Sequence, residues 1–455
     1  MKRIILSAVL IVVLVAASAC SLEKPGVEMQ AYQPVSIPNT FDVAAAQRLD
    51  DGVTRAGVKV VDITPYDRRA WIAGFEPMRK SRGVLDPVTA RILYFHDGRN
   101  AVVLISIDCV GMMNADVRRL RALITKNFPH RVHVIATHNH EGPDTMGFWG
   151  PGLLTPVRSG VDTDWLDKTF QDIALGVDEA IRGAVPVRIA TGTTEIDPQW
   201  SSNIWFPHPT GPIDRRMSVL RVEKIDGTPL ATVANFACHA ETLLSNKKIS
   251  ADFPGRFYKY CEQNGGGVGI FYNGALGGMI SPRIARFDDR KKFPKPEQKI
   301  AWMDDMGRAL ADAALRAVVD RPRHAGVPID VRTVDVPLRI RNARFVGMFR
   351  CRIISSDPER VQGQNYITEV TAVRIGGAHF ALIPGEPFPE LGRKFKAAMP
   401  YAEVPFVVGL ANDELGYIMM PHQWTDPTYS YETTMSTGRY TGRIIFDAFT
   451  ELLEN

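Results

Sequence analysis

The chain is poor in cysteine and in net charge, and each shortage excludes a class of protein. Five cysteines in 455 residues, with no CxxC pair, exclude a disulfide-built scaffold. A formal charge of only +4, with Lys/Arg and Asp/Glu interspersed, supplies no basic face, so no nucleic-acid partner is expected. There is no internal repeat in the sequence and no low-complexity segment, which argues against a solenoid. Ordinary globular composition, 45% hydrophobic and 23% charged, excludes disorder as the dominant state. The N-terminal apolar run, Ile4 to Ala16 broken by Ser7, is too short for a comfortable membrane span.

That run follows Lys2 and Arg3 and leads into Ala17-Ser18-Ala19-Cys20. A basic start, a short apolar core and small residues are the pattern of a secretory signal. Ending on cysteine, it resembles a bacterial lipobox, which implies cleavage before Cys20 and lipidation of its thiol. A plain signal peptide cut near Ala19 is the alternative. The expected organisation is a lipoprotein-type signal peptide at 1–19, a Pro-dotted tether at 20–52 and one large domain at 53–455. Ser21, not Asp, follows the cysteine. By the same resemblance, the protein is expected on the bacterial cell envelope, lipid-anchored, at the outer membrane. Cys109, Cys238, Cys261 and Cys351 are scattered, so a disulfide among them is possible but its pairing is not deducible.

From Val53 onward, short β-branched runs alternate with amphipathic stretches. Val58–Ile63, Ala101–Ile107, Val132–Thr137, Ala231–Ala237, Val268–Tyr272, Phe380–Ile383 and Phe406–Leu410 read as strands. Asn114–Phe128, Asp162–Ile181, Ala301–Val319, Pro387–Ala397 and Ile444–Leu453 read as helices. Without strict βαβ regularity, this predicts an α/β fold of mixed β-sheets flanked by helices.

Several of these strands run out into residues able to bind metal. Val132–Thr137 leads into His138-Asn139-His140-Glu141-Gly142-Pro143, Ala231–Cys238 into His239, and Phe380–Gly385 into Glu386. Phe406–Leu410 leads through a six-residue loop to Tyr417. Sites in α/β sheets gather at such strand ends. Imidazole and carboxylate suit Zn²⁺, which in catalytic sites keeps one position for water. Taken singly, His239 could be a core histidine, Glu386 a helix N-terminal acid and Tyr417 a buried phenol.

Thr137–Pro143 resembles the THTHSGP motif of the neutral/alkaline non-lysosomal ceramidase family. Asn235-Phe236-Ala237-Cys238-His239 is similar to its FAVH segment, Pro384-Gly385-Glu386 to its PGE, and Gly278-Met279-Ile280-Ser281-Pro282 to its GDxSP loop. Gly416-Tyr417 and Tyr431-Glu432 resemble its tyrosine-rich segment and YEG/YEA. The resemblance implies that His138, His239, Glu386 and Tyr417 ligate one catalytic zinc. It implies that His140 handles protons or the developing oxyanion, that Ser281 positions substrate or acts in the attack, and that Tyr431 donates to the tetrahedral intermediate. The implied reaction is hydrolysis of the N-acyl bond of ceramide or a similar lipid by a zinc-bound water.

Three departures bear on this. Met279 stands where the family has Asp, Glu141 where it has Ser, and no Arg matches its NRSP-like stretch near Asn203. The chain also ends soon after the tyrosine segment, so the family's C-terminal β-sandwich is not expected. Zinc hydrolysis of another amide or ester, and a non-catalytic envelope lipoprotein, are the alternatives. Phe148-Trp149, with Leu153-Leu154, is a candidate apolar wall for an acyl chain.

Overall fold

The computed structural model describes residues 52–125, 129–152, 156–283 and 294–454. Cys20, the signal peptide and the tether up to Asp51 lie outside the described residues, as do Leu153 and Leu154.

In chain order the first strands are β1 (Arg55–Asp62), β2 (Thr89–His96), β3 (Ala101–Ile107) and β4 (Val132–Ala136). Next come β5 (Val185–Glu195), β6 (Ser201–Asn203), β7 (Arg216–Lys224), β8 (Pro229–Phe236), β9 (Val268–Asn273), β10 (Ile280–Pro282) and β11 (His324–Ala325). The last are β12 (Ile329–Arg339), β13 (Val361–Gln362), β14 (Asn365–Ile375), β15 (Ala378–Leu382), β16 (Glu386–Pro387), β17 (Val404–Val408) and β18 (Tyr417–Ile418). One sheet has the order β4-β3-β2-β1-β5-β7-β8-β9, with β11 on β5. A second has the order β12-β14-β15-β17, with β13 on β14, and the pairs β6–β10 and β16–β18 stand apart.

The two sheets pack face to face. Strand side chains alternate between faces. On β2, Leu93 and Phe95 enter the layer between the sheets, where they join Phe380 and Phe406 of the second sheet. Ile92 and Tyr94 turn to the outer layer beneath α1 (Asn114–Ile124) and α2 (Thr163–Arg182). The other half of the same outer face lies under α3 (Asp252–Gln263) and α4 (Pro296–Ala317). The second sheet's outer face is covered by α5 (Ala343–Arg350), α6 (Pro389–Ala397) and α8 (Thr441–Glu454); α7 (Ser430–Thr434) is a short loop helix. Four layers result, helix, sheet, sheet and helix, and strands covered on both sides explain the near-continuous apolar runs. α2 starts where Asp162 accepts a hydrogen bond from Trp165 N–H and ends at Arg182, one residue beyond the predicted end, with Gly183 capping it. No helix among the described residues is long and apolar enough to cross a membrane.

A repeat invisible in the sequence runs through both sheets. β2-β3-α1-β4, β7-β8-α3-β9 and β14-β15-α6-β17 are the same unit: an antiparallel pair, a helix, then a strand parallel to the second. Each unit therefore leaves one parallel strand pair whose C-terminal ends point the same way.

Those ends lead into the site. β4 opens into His138 and His140, β8 into His239, β9 into the loop before Ser281, β15 into Glu386 and β17 into the loop before Tyr417. Between the first and third units sits a buried ion pair. Arg121 of α1 donates to both carboxylate oxygens of Glu369 on β14 (2.8 and 2.6 Å) and to the carbonyl of Val132 (2.7 Å). The four cysteines among the described residues are free, three of them buried and Cys351 exposed.

Candidate metal centre

His138 does not continue the strand. Its φ of +59° places it in the left-handed region, a strained conformation for a non-glycine residue. Met279, Leu410 and Asn412, on neighbouring strand-end loops, share that conformation. A parallel bridge joins Asn139 to Ala240, with His140 N–H on the Ala240 carbonyl at 2.9 Å. Asn139 turns into the protein, donating to the Ser250 carbonyl at 2.7 Å. The flanking residues His138, His140, His239 and Glu241 are thereby gathered on the other side. The imidazole rings lie 4.7 to 5.6 Å apart, edge to face.

Two of the three histidines have one ring nitrogen committed to backbone. His138 Nδ1 donates to the Val110 carbonyl at 2.6 Å and His239 Nδ1 to the Ile280 carbonyl at 2.8 Å. This selects the tautomer that leaves Nε2 as the lone-pair donor, as in ligating histidines generally. Both Nε2 atoms turn to one oxygen, Glu386 Oε2, at 3.5 and 3.2 Å. Neither His239 Nε2 nor Glu386 Oε2 has a hydrogen bond of acceptable alignment, although both are buried. Two donors each about 2.05 Å from a tetrahedral cation stand roughly 3.4 Å apart, so these separations fit a shared ion. His138, His140 and His239 also offer nitrogens within 4.8 Å of one another, a cluster able to hold a metal.

Glu386 and Tyr417 are register partners on the parallel pair β16–β18, which puts both side chains on the same side. The pair is set close by Gly385, whose φ is +141° and where a Cβ would fall 2.7 Å from the Gly416 carbonyl oxygen. Gly416, with φ +71°, lets β18 approach Met435; a Cβ on Gly416 would fall 1.9 Å from the Met435 carbonyl oxygen. Burial works to raise the pKa of Glu386, yet His138, His239 and the Tyr417 hydroxyl together hold it below the ordinary carboxylate range. Burial lowers that of His138, and Glu386 raises that of His239 against its burial. Tyr417 is pushed well up by burial and by the Glu386 charge; its hydroxyl donates to Met279 Sδ at 3.2 Å. Met279 thus serves the Tyr417 hydroxyl as a neutral acceptor.

The other expected site residues surround this core. His140 stands with Nδ1 3.5 Å from Glu241 Oε2. Ser281 follows Ile280, whose carbonyl anchors His239; it is fully buried, and its Oγ has no hydrogen-bond partner. Tyr431 is half exposed, its ring 6.1 Å from that of Tyr417. Phe388, Tyr429, Phe206, Met279 and Trp424 pack around Tyr417, and Trp205 Nε1 donates to Glu432 at 2.5 Å. Phe148 is not a site wall: it is core, packed against Phe345 with Ile353 in the same cluster. Trp149 is tied to the Phe75 carbonyl at 3.2 Å. Glu141 points away from the imidazoles to Arg79.

Two residues of this neighbourhood carried no signal when read singly. Glu241 is buried two positions after His239, and the same i, i+2 spacing that linked His138 to His140 would have found it. Arg79 lies in a loop with no periodic pattern.

No protein-family model matches the chain. Over 231 residues, 45% of its length, it is 26% identical to neutral ceramidase B of Dictyostelium discoideum. Over 232 residues it is 25% identical to neutral ceramidase A of the same organism. Each alignment spans 31% of the relative's length. The fold is similar to the crystal structure of neutral ceramidase from Pseudomonas aeruginosa, with a TM-score of 0.70 at 20% identity over 88% of this chain and 74% of that one. A structure described as ceramidase complexed with C2 matches with the same TM-score and coverage at 17% identity. Fold and site together define a class: a four-layer α/β protein with a buried imidazole–carboxylate cluster, able to hold a metal ion, where three parallel strand pairs end. Within that class, the chain shares its fold with neutral ceramidase structures and is similar in sequence to neutral ceramidases over 45% of its length.

Proposed function

We propose that the protein is a zinc-dependent amidohydrolase that cleaves the N-acyl bond of ceramide or a ceramide-like lipid. The observation that carries this is the convergence of His138 Nε2 and His239 Nε2 on Glu386 Oε2 at cation-sharing distances. His138, His239, Glu386 and Tyr417 would hold the ion. Bound there, zinc would polarise the amide carbonyl and bring a water's pKa to about 7.

The chain's own residues then divide the remaining work. His140 accepts the proton released in the attack and returns it to the departing amine as the C–N bond breaks. Ser281 Oγ, buried and without a partner, aligns the carbonyl for attack. Tyr431, at the open edge, donates its hydroxyl hydrogen to the oxygen of the tetrahedral intermediate. The rings of Phe206, Tyr429 and Trp205 supply apolar surface for an alkyl chain. Lipidation of Cys20 would hold the domain at the envelope surface, where such a substrate resides.

A soluble form lacking residues 1–20 tests the proposal. With labelled ceramide it is expected to release fatty acid and to contain about one zinc per chain. Cleavage of other N-acyl compounds with ceramide untouched would move the assignment to a hydrolase of a different amide or ester. Met279 in place of the family's acid favours that alternative. A folded protein that takes up no metal would leave a non-catalytic lipoprotein. Ser281→Ala is expected to lower kcat about 10²-fold with zinc content unchanged; an unaltered kcat in a steady-state assay would remove Ser281 from the site.

A further inference from the structure

The segment from Ala73 to Arg79 wraps His140 on several sides. One guanidinium nitrogen of Arg79, Nη2, donates to the backbone carbonyls of both His140 and Ala73. The other, Nη1, donates to the carbonyls of Asn246 (2.9 Å) and Leu244 (3.2 Å) and pairs with Glu141 Oε2 at 3.2 Å. Both side chains of the Arg79–Glu141 pair are fully buried. Phe75 meets the His140 ring edge-on at 5.3 Å, and the Arg79 guanidinium lies 5.4 Å from the same Phe75 ring. Beside the imidazole is Gly74, with φ +109°; a Cβ there would lie 2.5 Å from His140 Cβ and 2.6 Å from its Cγ.

From this geometry we infer that Arg79 and Glu141, with Gly74, form a positioning device for His140. The inference rests on the hydrolytic role proposed above. A fully buried ion pair is a poor source of stability, since desolvation offsets most of its attraction. What a planar guanidinium supplies instead is direction, through several donors fixed in one plane. Here they tie the histidine loop to the loop that follows His239 and to the Ala73 segment, so the His140 main chain is set against both expected ligand loops. Gly74 then leaves room for the ring where any Cβ would strike it.

Arg79→Lys keeps the charge beside Glu141 but loses the fork. It is expected to retain zinc at the wild-type ratio and KM within about twofold, while kcat falls about 10- to 100-fold, as for a displaced catalytic group. Gly74→Ala should lower kcat similarly with Arg79 intact. Imidazole ¹⁵N resonances, which need no turnover, should shift for His140 in both variants and stay in place for His138 and His239. Arg79→Met/Glu141→Leu, which removes both charges, should fold and still show the low kcat. Unchanged His140 resonances, or a kcat loss that simply tracks lost zinc, would overturn the inference. Absence of any amide turnover by the wild type would instead count against the proposed reaction, with the resonances still deciding the positioning role.

Discussion

Glu386→Ala is expected to release the proposed zinc and lower kcat/KM by about 10³-fold or more. Its Oε2 is the one atom on which both Nε2 donors converge, and its negative charge would offset a cation bound in this buried pocket. Losing an outer partner of a ligand already costs roughly 10- to 100-fold in affinity or activity, and losing a ligand and its charge costs more. Without the carboxylate, His138 and His239 keep their backbone anchors at Val110 and Ile280, so the fold should survive. Elemental analysis of the purified variant, alongside its circular dichroism, measures this. Stoichiometric zinc in a folded Glu386→Ala protein would mean that the carboxylate is not a ligand, and the cluster of His138, His140 and His239 would be the first alternative holder of the ion.

The largest effect on stability is expected at Glu369. Glu369→Gln leaves the Arg121 guanidinium charged and buried between α1 and β14, and breaking such a pair by removing one partner costs about 3–5 kcal/mol. Burial alone would raise the Glu369 pKa, but the Arg121 charge and its two hydrogen bonds bring it down from 4.5 to about 2. A folded-state pKa below the unfolded value means that the ionised form stabilises the fold above about 4.5, and that this is lost as pH falls toward about 2. The stability gap between wild type and Glu369→Gln should therefore narrow across that window, by on the order of 3 kcal/mol. Asp108 and Asp413, pushed up to about 6 by burial, act with the opposite sign, and comparing the two proteins cancels them. Denaturant titrations at pH 7, 5, 3 and 2 measure the gap. A gap that stays constant from pH 5 to 2, or is below about 1 kcal/mol at pH 7, would show that the pair contributes little.

Much of the site was legible because its residues sit where local signals are strongest. A β-branched run that ends in a polar or glycine-rich loop marks both a buried strand and its exit, and His138, His239 and Glu386 follow such runs. Tyr417 was less legible than these three, since a loop from Gly409 to Gly416 separates it from β17. β2 was missed although it lies in the middle of the larger sheet. Arg91 and His96 interrupt its apolar run, and only the fold shows that Arg91 is drawn to Glu262 (2.6 Å) and the Gly269 carbonyl (2.8 Å). α5 was missed as well, being a single short helix whose apolar face is defined by the cluster it joins.

By itself the sequence determined the class of fold, the order of the strand ends and the types of donor they deliver, because alternation, β-branching and breakers act over a few neighbouring residues. Tertiary structure alone decided which polar groups lose their water. Arg79 and Glu141, or Arg121 and Glu369, are ordinary surface residues until packing buries them, and then each charge must find its partner across the chain. It also decided that three strand pairs of one repeated unit should end at a common point, since pairing between sheets depends on long-range contacts that no local pattern encodes.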